Sequence, residues 1–227
     1  MKGSRVAAAV LAVFLLSGVA ACGQPEFTYV RDREGTTYFK VPASFTKIES
    51  YPIDLFLSGD HPYSEAAKLA RARVWSTAFD QSKEPNPNHM FASMTPFVYA
   101  TVHKLKDEER DAVSLDQLRD FILPVTKKLR EAIETQAAMT GKQLRFTKFE
   151  EIVNEPVFLD KGARGVHVRF NYQIGDDVQT FDHTAYLDEQ GGTVSVLLIS
   201  CQSLCYRQRA AEFDKISESF KLLRLPG

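Results

Sequence analysis

Apolar residues recur along this chain in three rhythms, and each predicts a different element. The first is an unbroken run, Val6–Leu16, preceded by Lys2 and Arg5 and followed by Ser17-Gly18-Val19-Ala20-Ala21-Cys22. The second is alternation, the mark of strands with one buried face. It predicts a hairpin from Phe27–Val30 and Thr36–Val41, ended by Pro42, and strands at Arg73–Asp80 and Phe97–Leu105. In the last third it predicts a meander of Leu144–Val153, Arg164–Ile174, Val178–Leu187 and Thr193–Ser200. Its turns are Asp160-Lys161-Gly162, Gly175-Asp176-Asp177 and Gly191-Gly192. The third rhythm is helical. Ser64 caps one or two turns up to Arg71, and Ser114 with Gln117 forms a capping box. A stripe of Leu118, Ile122, Val125, Leu129 and Ile133 then runs toward Gly141, with Pro124 inside it as a kink or break. Phe213, Ile216 and Phe220 mark a final helix from about Tyr206. Between Ala43 and Leu69, Pro52, Gly59 and Pro62 break any long element. Strands first and last with helices between them predict an α+β sandwich on an antiparallel sheet.

The leading apolar run is shorter than the ~20 residues a membrane helix needs. Its charged start and small-residue end read as a lipoprotein signal, with Val19-Ala20-Ala21-Cys22 as the lipobox. Cys22 is expected to take a diacylglyceryl group and become the new N-terminus. Two or three acyl chains exceed the limit for reversible anchoring. The expected organisation is a signal peptide over 1–21, a lipidated cysteine and short tether over 22–26, and one globular domain over 27–227. Gly23-Gln24-Pro25-Glu26 spans at most ~14 Å when extended. The domain should therefore lie close to the extracytoplasmic face of the membrane.

Composition narrows the picture. Loss of Lys2 and Arg5 with the signal takes 28 basic residues to 26 against 29 acidic ones, a net charge of −3. That argues against nucleic acid as a partner. Cys201 and Cys205 are then the remaining thiols of an exported chain, and an even pair reads as a disulfide. Four-residue spacing at a helix start puts their Cα atoms ~6 Å apart, within bridging range.

Strand Val194–Ser200, Cys201-x-x-x-Cys205 and a helix closing with Ile216-Ser217-Glu218-Ser219-Phe220-Lys221 resemble exported actinobacterial lipoproteins of the PsbP-like (LpqN-type) group. Tyr38-Phe39-Lys40-Val41-Pro42 followed by Phe45, and Val74-Trp75-Ser76 opening a strand, agree with it. The resemblance implies a PsbP-like α/β/α sandwich with a central antiparallel sheet. It implies an accessory or assembly role with neither catalytic centre nor cofactor, and it assigns no functional residue.

The residues themselves offer little chemistry. There is no Gly-x-Ser-x-Gly elbow and no glycine-rich phosphate loop. His61, His89, His103, His167 and His183 show no metal-ligand spacing. His167 and His183 fall on neighbouring strands, but strand alternation sends them to opposite faces. The acidic groups Asp107-Glu108-Glu109 with Asp111, Glu150-Glu151 and Asp176-Asp177 lack calcium-loop spacing and read as solvated turns. Lys127, Lys128 and Arg130 read as a polar helix face, with lipid headgroups as the alternative. The loop Gln81–Pro96 is long for a compact domain and carries Met90, Phe91 and Met94. These three are either an interaction surface or side chains folded back under the sheet. The expectation is a membrane-anchored, non-enzymatic accessory or binding domain with an envelope protein as partner. The alternatives are a carrier holding an amphipathic ligand between sheet and helix, and a cell-envelope hydrolase.

Overall fold

Alternation in the last third of the chain builds the centre of the molecule. The computed structural model describes residues 25–223. The expected signal peptide and Cys22 lie outside the described residues. In chain order the elements are β1 (Phe27–Arg31), β2 (Thr37–Pro42), β3 (Thr46–Ile48), α1 (Tyr51–Ser58), α2 (Glu65–Arg73), β4 (Val74–Asp80) and β5 (Phe97–Lys104). There follow α3 (Leu115–Arg119), α4 (Lys127–Thr140), β6 (Thr147–Phe158), β7 (Arg164–Ile174), β8 (Asp177–Leu187), β9 (Thr193–Gln202), α5 (Ser203–Ser219) and β10 (Lys221–Leu222). Seven strands form one antiparallel sheet in the order β3-β4-β5-β9-β8-β7-β6, and β1-β2-β10 form a small second sheet.

Each inner strand of the large sheet has two buried faces, which is why β8 and β9 are almost wholly buried. On the first face Tyr99, Val168, Phe170, Phe181 and Leu198 pack beneath Ile53 of α1, Leu118 of α3 and the Ile122–Val125 segment. On the second face Val98, Leu197 and Ile199 pack beneath Val30, Phe39 and Val41 of the small sheet and Tyr206, Phe213 and Ile216 of α5. Phe213 is fully buried, and burying such a ring contributes about 1.5–3 kcal/mol. Cys201 and Cys205 are joined across the turn from β9 into α5, with Cα atoms 6.0 Å apart.

Pro124 does more than kink the expected long helix. The chain leaves helical geometry between α3 and α4, where Asp120 accepts from the backbone N–H groups of Val125 and Thr126 at 2.8 and 2.7 Å. The first part of the stripe is therefore core. Leu129 and Ile133 are only half-buried, and no residue of α4 is fully buried. Gly141 ends α4 in the left-handed region with φ 67°.

The loop after β4 decides between the two readings of Met90 and Phe91, which fold back under the sheet. Asp80 is fully buried and accepts from the N–H groups of Ser82 and Asn86, each at 2.9 Å, with His89 Nδ1 at 2.7 Å. That carboxylate gathers the loop, and a 3-10 turn over Pro87–Met90 aims Met90 and Phe91 under the sheet. Met94 alone of the three stays out, 76% exposed.

Candidate functional site

The segment read as broken by Pro52 and Gly59 is a helix bounded by them. Proline fits the first turn of a helix, where its missing N–H has no partner to lose. Gly59 adopts φ 69° at the other end, and its N–H bonds to Leu55 O. Buried Ile53 pins α1 to the sheet. The next residue, Asp54, reaches two strands. Ser76 Oγ of β4 donates to Asp54 Oδ2 at 2.6 Å, and the Tyr99 hydroxyl of β5 donates to Oδ1 at 2.7 Å. Ser50 Oγ lies 2.9 Å from Ser76 Oγ.

Beside this carboxylate lies a cavity of about 540 Å³. Its walls come from α1 (Tyr51, Asp54, Leu55, Leu57), α2 (Ala67, Arg71), β4 (Val74, Ser76), β5 (Tyr99, His103) and the Phe121-Ile122 segment. Arg33 from the first hairpin and Asp60 complete its rim. The Arg71 guanidinium lies 4.0 Å from the centre of the Tyr51 ring, and it donates to Pro62 O at 3.2 Å. His103 meets Phe121 edge to face at 4.8 Å. A second depression of about 420 Å³ shares Leu57 and Ile122 and continues beneath Ile133 and Ala137 of α4.

Burial sets the electrostatics here. It raises the Asp54 carboxyl above its usual value, against the pull of the Ser76 and Tyr99 hydroxyls. It pushes His103 down to about 4, so the imidazole is neutral at physiological pH. Burial and the neighbouring Asp54 hold the Tyr99 phenol well above its usual value.

The opposite face holds a second polar cluster built differently. Asp182 is 1% exposed and accepts from His167 Nε2 at 2.9 Å, from Arg169 Nε and Nη2 at 2.9 and 2.7 Å, and from the Tyr206 hydroxyl at 2.5 Å. Arg169 also reaches Asp214 of α5 at 2.7 Å. Burial would raise the Asp182 carboxyl, but His167, Arg169 and Tyr206 together hold it below its usual value. The cluster fastens α5 to β7 and β8.

The residues singled out from the sequence do not converge. Cys201 belongs to the second face, away from the cavity. His183 is fully buried, with Nε2 donating to Leu118 O at 2.9 Å, while His167 sits on the other face with Asp182. Among the described residues no group of three His, Cys, Asp or Glu side chains is placed to hold a metal. No described helix is long and apolar enough to cross a membrane. Asp54 was missed because it sits in no motif. Its partners Ser76 and Tyr99 are 22 and 45 residues away. The available signal was a carboxylate between apolar neighbours in a segment opened by proline and closed by glycine.

No family model matches the chain, and no curated protein does. Solved structures do. Cyanobacterial PsbP (CyanoP) from Synechocystis sp. PCC 6803 aligns over 92% of this chain and 99% of its own at 12% identity, with a TM-score of 0.52. LpqN of Mycobacterium tuberculosis, involved in cell envelope biogenesis, aligns over 87% and 91% at 13% identity with a TM-score of 0.47. The Ran-binding protein Mog1p of Saccharomyces cerevisiae aligns over 86% and 95% at 10% identity with a TM-score of 0.41. At these identities the likeness is one of fold, and the CyanoP match carries it. The chain has a PsbP-like fold, a mixed α+β structure around a seven-stranded antiparallel sheet.

Proposed function

We propose that this chain is a non-enzymatic accessory or binding protein of the cell envelope, held at the membrane by lipid on Cys22. Its binding function resides in the cavity between α1, α2 and the sheet. The observation that carries this reading is the cavity itself. Its volume of about 540 Å³ falls within the ~300–1,000 Å³ of small-molecule sites, which pair apolar walls with a few convergent polar groups. The carboxylate is engaged by two hydroxyls, and the imidazole is neutral beside Phe121. That arrangement suits holding a ligand better than moving protons.

The anchor rests on the charged, apolar and small-residue succession that ends at Cys22. Metabolic labelling with palmitate should mark the wild type and not Cys22→Ser, and label retained on the variant would remove the anchor. Brief crosslinking and mild detergent extraction, followed by native mass spectrometry, tests the cavity. A stoichiometric small molecule supports the carrier form of this reading. A protein partner bound to a chain with an empty cavity would move the binding function to the surface.

A further inference from the structure

We infer that the cavity takes a small amine, with its ammonium group seated on Asp54. This rests on the reading of the cavity as a binding site and names the class of ligand.

Asp54 is half-buried, and a carboxylate partly withdrawn from water is costly unless a cation or several donors compensate it. Asp54 receives two hydroxyl donors, and the influences on it are burial and those hydroxyls, with no basic group among them. A carboxylate offers about four acceptor positions, so half its capacity is unused beside open space. An ammonium group supplies what is missing, a positive charge with up to three donors.

The rest of the wall agrees. Tyr51, Tyr99 and Phe121 bring aromatic rings to the same space, and aromatic faces attract organic cations once water is excluded. Arg71 already stacks on the Tyr51 ring at 4.0 Å. His103 is neutral and so does not compete as a cation. Arg33 and Arg71 stand exposed at the mouth, where half-buried Asp60 joins them, so charges of both signs meet the ligand's outer end. The ligand is therefore an amine with an apolar body, amine inward.

Three molecules of one shape and different charge test this: 2-phenylethylamine, 2-phenylethanol and phenylacetate. They are titrated by calorimetry into the full chain in a non-ionic detergent. The amine should bind at least about tenfold tighter than the alcohol, the increment of one charge-assisted hydrogen bond, with the acid weakest. Asp54→Asn should erase that preference. Leu57→Trp, or Ala67→Leu should the first variant fail to fold, should fill the cavity and abolish all binding. Alcohol or acid binding as well as the amine, or a preference that survives Asp54→Asn, overturns the ammonium inference while the cavity reading stands. Absence of binding by all three, or binding untouched by filling the cavity, overturns both.

Discussion

Asp54 on the first face of the large sheet is half-buried and Asp182 on the second is fully buried, and the two carboxylates are treated in opposite ways. Asp182 lies between sheet and α5 with an arginine, a histidine and a tyrosine hydroxyl around it, and its pKa is held down. Asp54 lies between sheet and α1 with two hydroxyls and open space, and burial lifts its pKa. A fully partnered buried charge fixes one arrangement of the elements around it. One left half-partnered beside a cavity is a place where something else can bind. The second face is thus the fastening side of the molecule and the first, on the proposed reading, its receptive side.

The largest expected effect is on the fastening side. Asp182→Ala would leave Arg169, His167 and the Tyr206 hydroxyl without their shared acceptor, and should cost about 3–5 kcal/mol in urea unfolding. A loss below about 1 kcal/mol, the scale of an exposed pair, would mean the cluster fastens nothing.

The receptive face should be firm outside its cavity. Met90→Ala is expected to cost about 2–5 kcal/mol, as for other buried large-to-small changes, because Met90 is fully enclosed. Met94→Ala should stay within about 0.5 kcal/mol. Equal effects from the two would return the whole loop to the surface.

Histidines separate the faces by pH. His103 and His183, both on the receptive side, are lowered from 6.5 to about 4 by burial. The unfolded chain therefore binds more protons between those values, and stability falls as the pH drops from 6.5 toward 4. On the fastening side, His167 is raised by its hydrogen bond to Asp182. Its contribution is complete below 6.5 and is lost as the pH climbs through its folded value. Melting temperature against pH should therefore show a shallower acid slope in His183→Gln, with the His103 part remaining, and lose its decline above 6.5 in His167→Gln. Either variant altering the other limb would contradict the assignment.

The smallest effect separates the carboxylates most sharply. Because the fold raises the pKa of Asp54, its charge opposes folding at neutral pH, and stability gains as pH falls through that raised value. Asp54→Asn should thus leave stability at pH 7 unchanged or slightly higher. A loss beyond about 1 kcal/mol, the net worth of an ordinary hydrogen bond, would make Asp54 a structural residue like Asp182.

The sequence made the ladder legible where alternation was strong. Arg164–Ile174 is observed as expected, and β8 and β9 differ from expectation by one or two residues at an end. The capping pair Ser114 and Gln117 bonds reciprocally at 3.1 and 2.7 Å, and Ser64 Oγ accepts from Ala67 N–H at 3.1 Å. Strand β6 was read early and short because it is an edge strand, bulged twice and mostly exposed, with no buried face to impose alternation. The strands β3 and β10, three and two residues long, are too brief to show a period. The candidate site was hidden for a different reason. Pro52 and Gly59 look like breakers in the sequence, and they are the two ends of α1. The polar trio on Asp54 exists only once α1, β4 and β5 have met.

The small sheet has a consequence for the order in which the molecule assembles. Strand β2 pairs on one side with β1, a few residues before it, and on the other with β10, where Lys221 faces Tyr38 and Leu222 faces Thr37. The adjoining helix end is drawn in as well, with Lys40 N–H donating to Ser219 Oγ at 3.0 Å. The earliest hairpin thus waits for nearly the last residues before its second edge is covered. Pairings so distant in sequence are slow to form, and until then an incomplete chain carries an open strand edge and bare apolar positions. Such a chain cannot complete its small sheet until its last residues have been made.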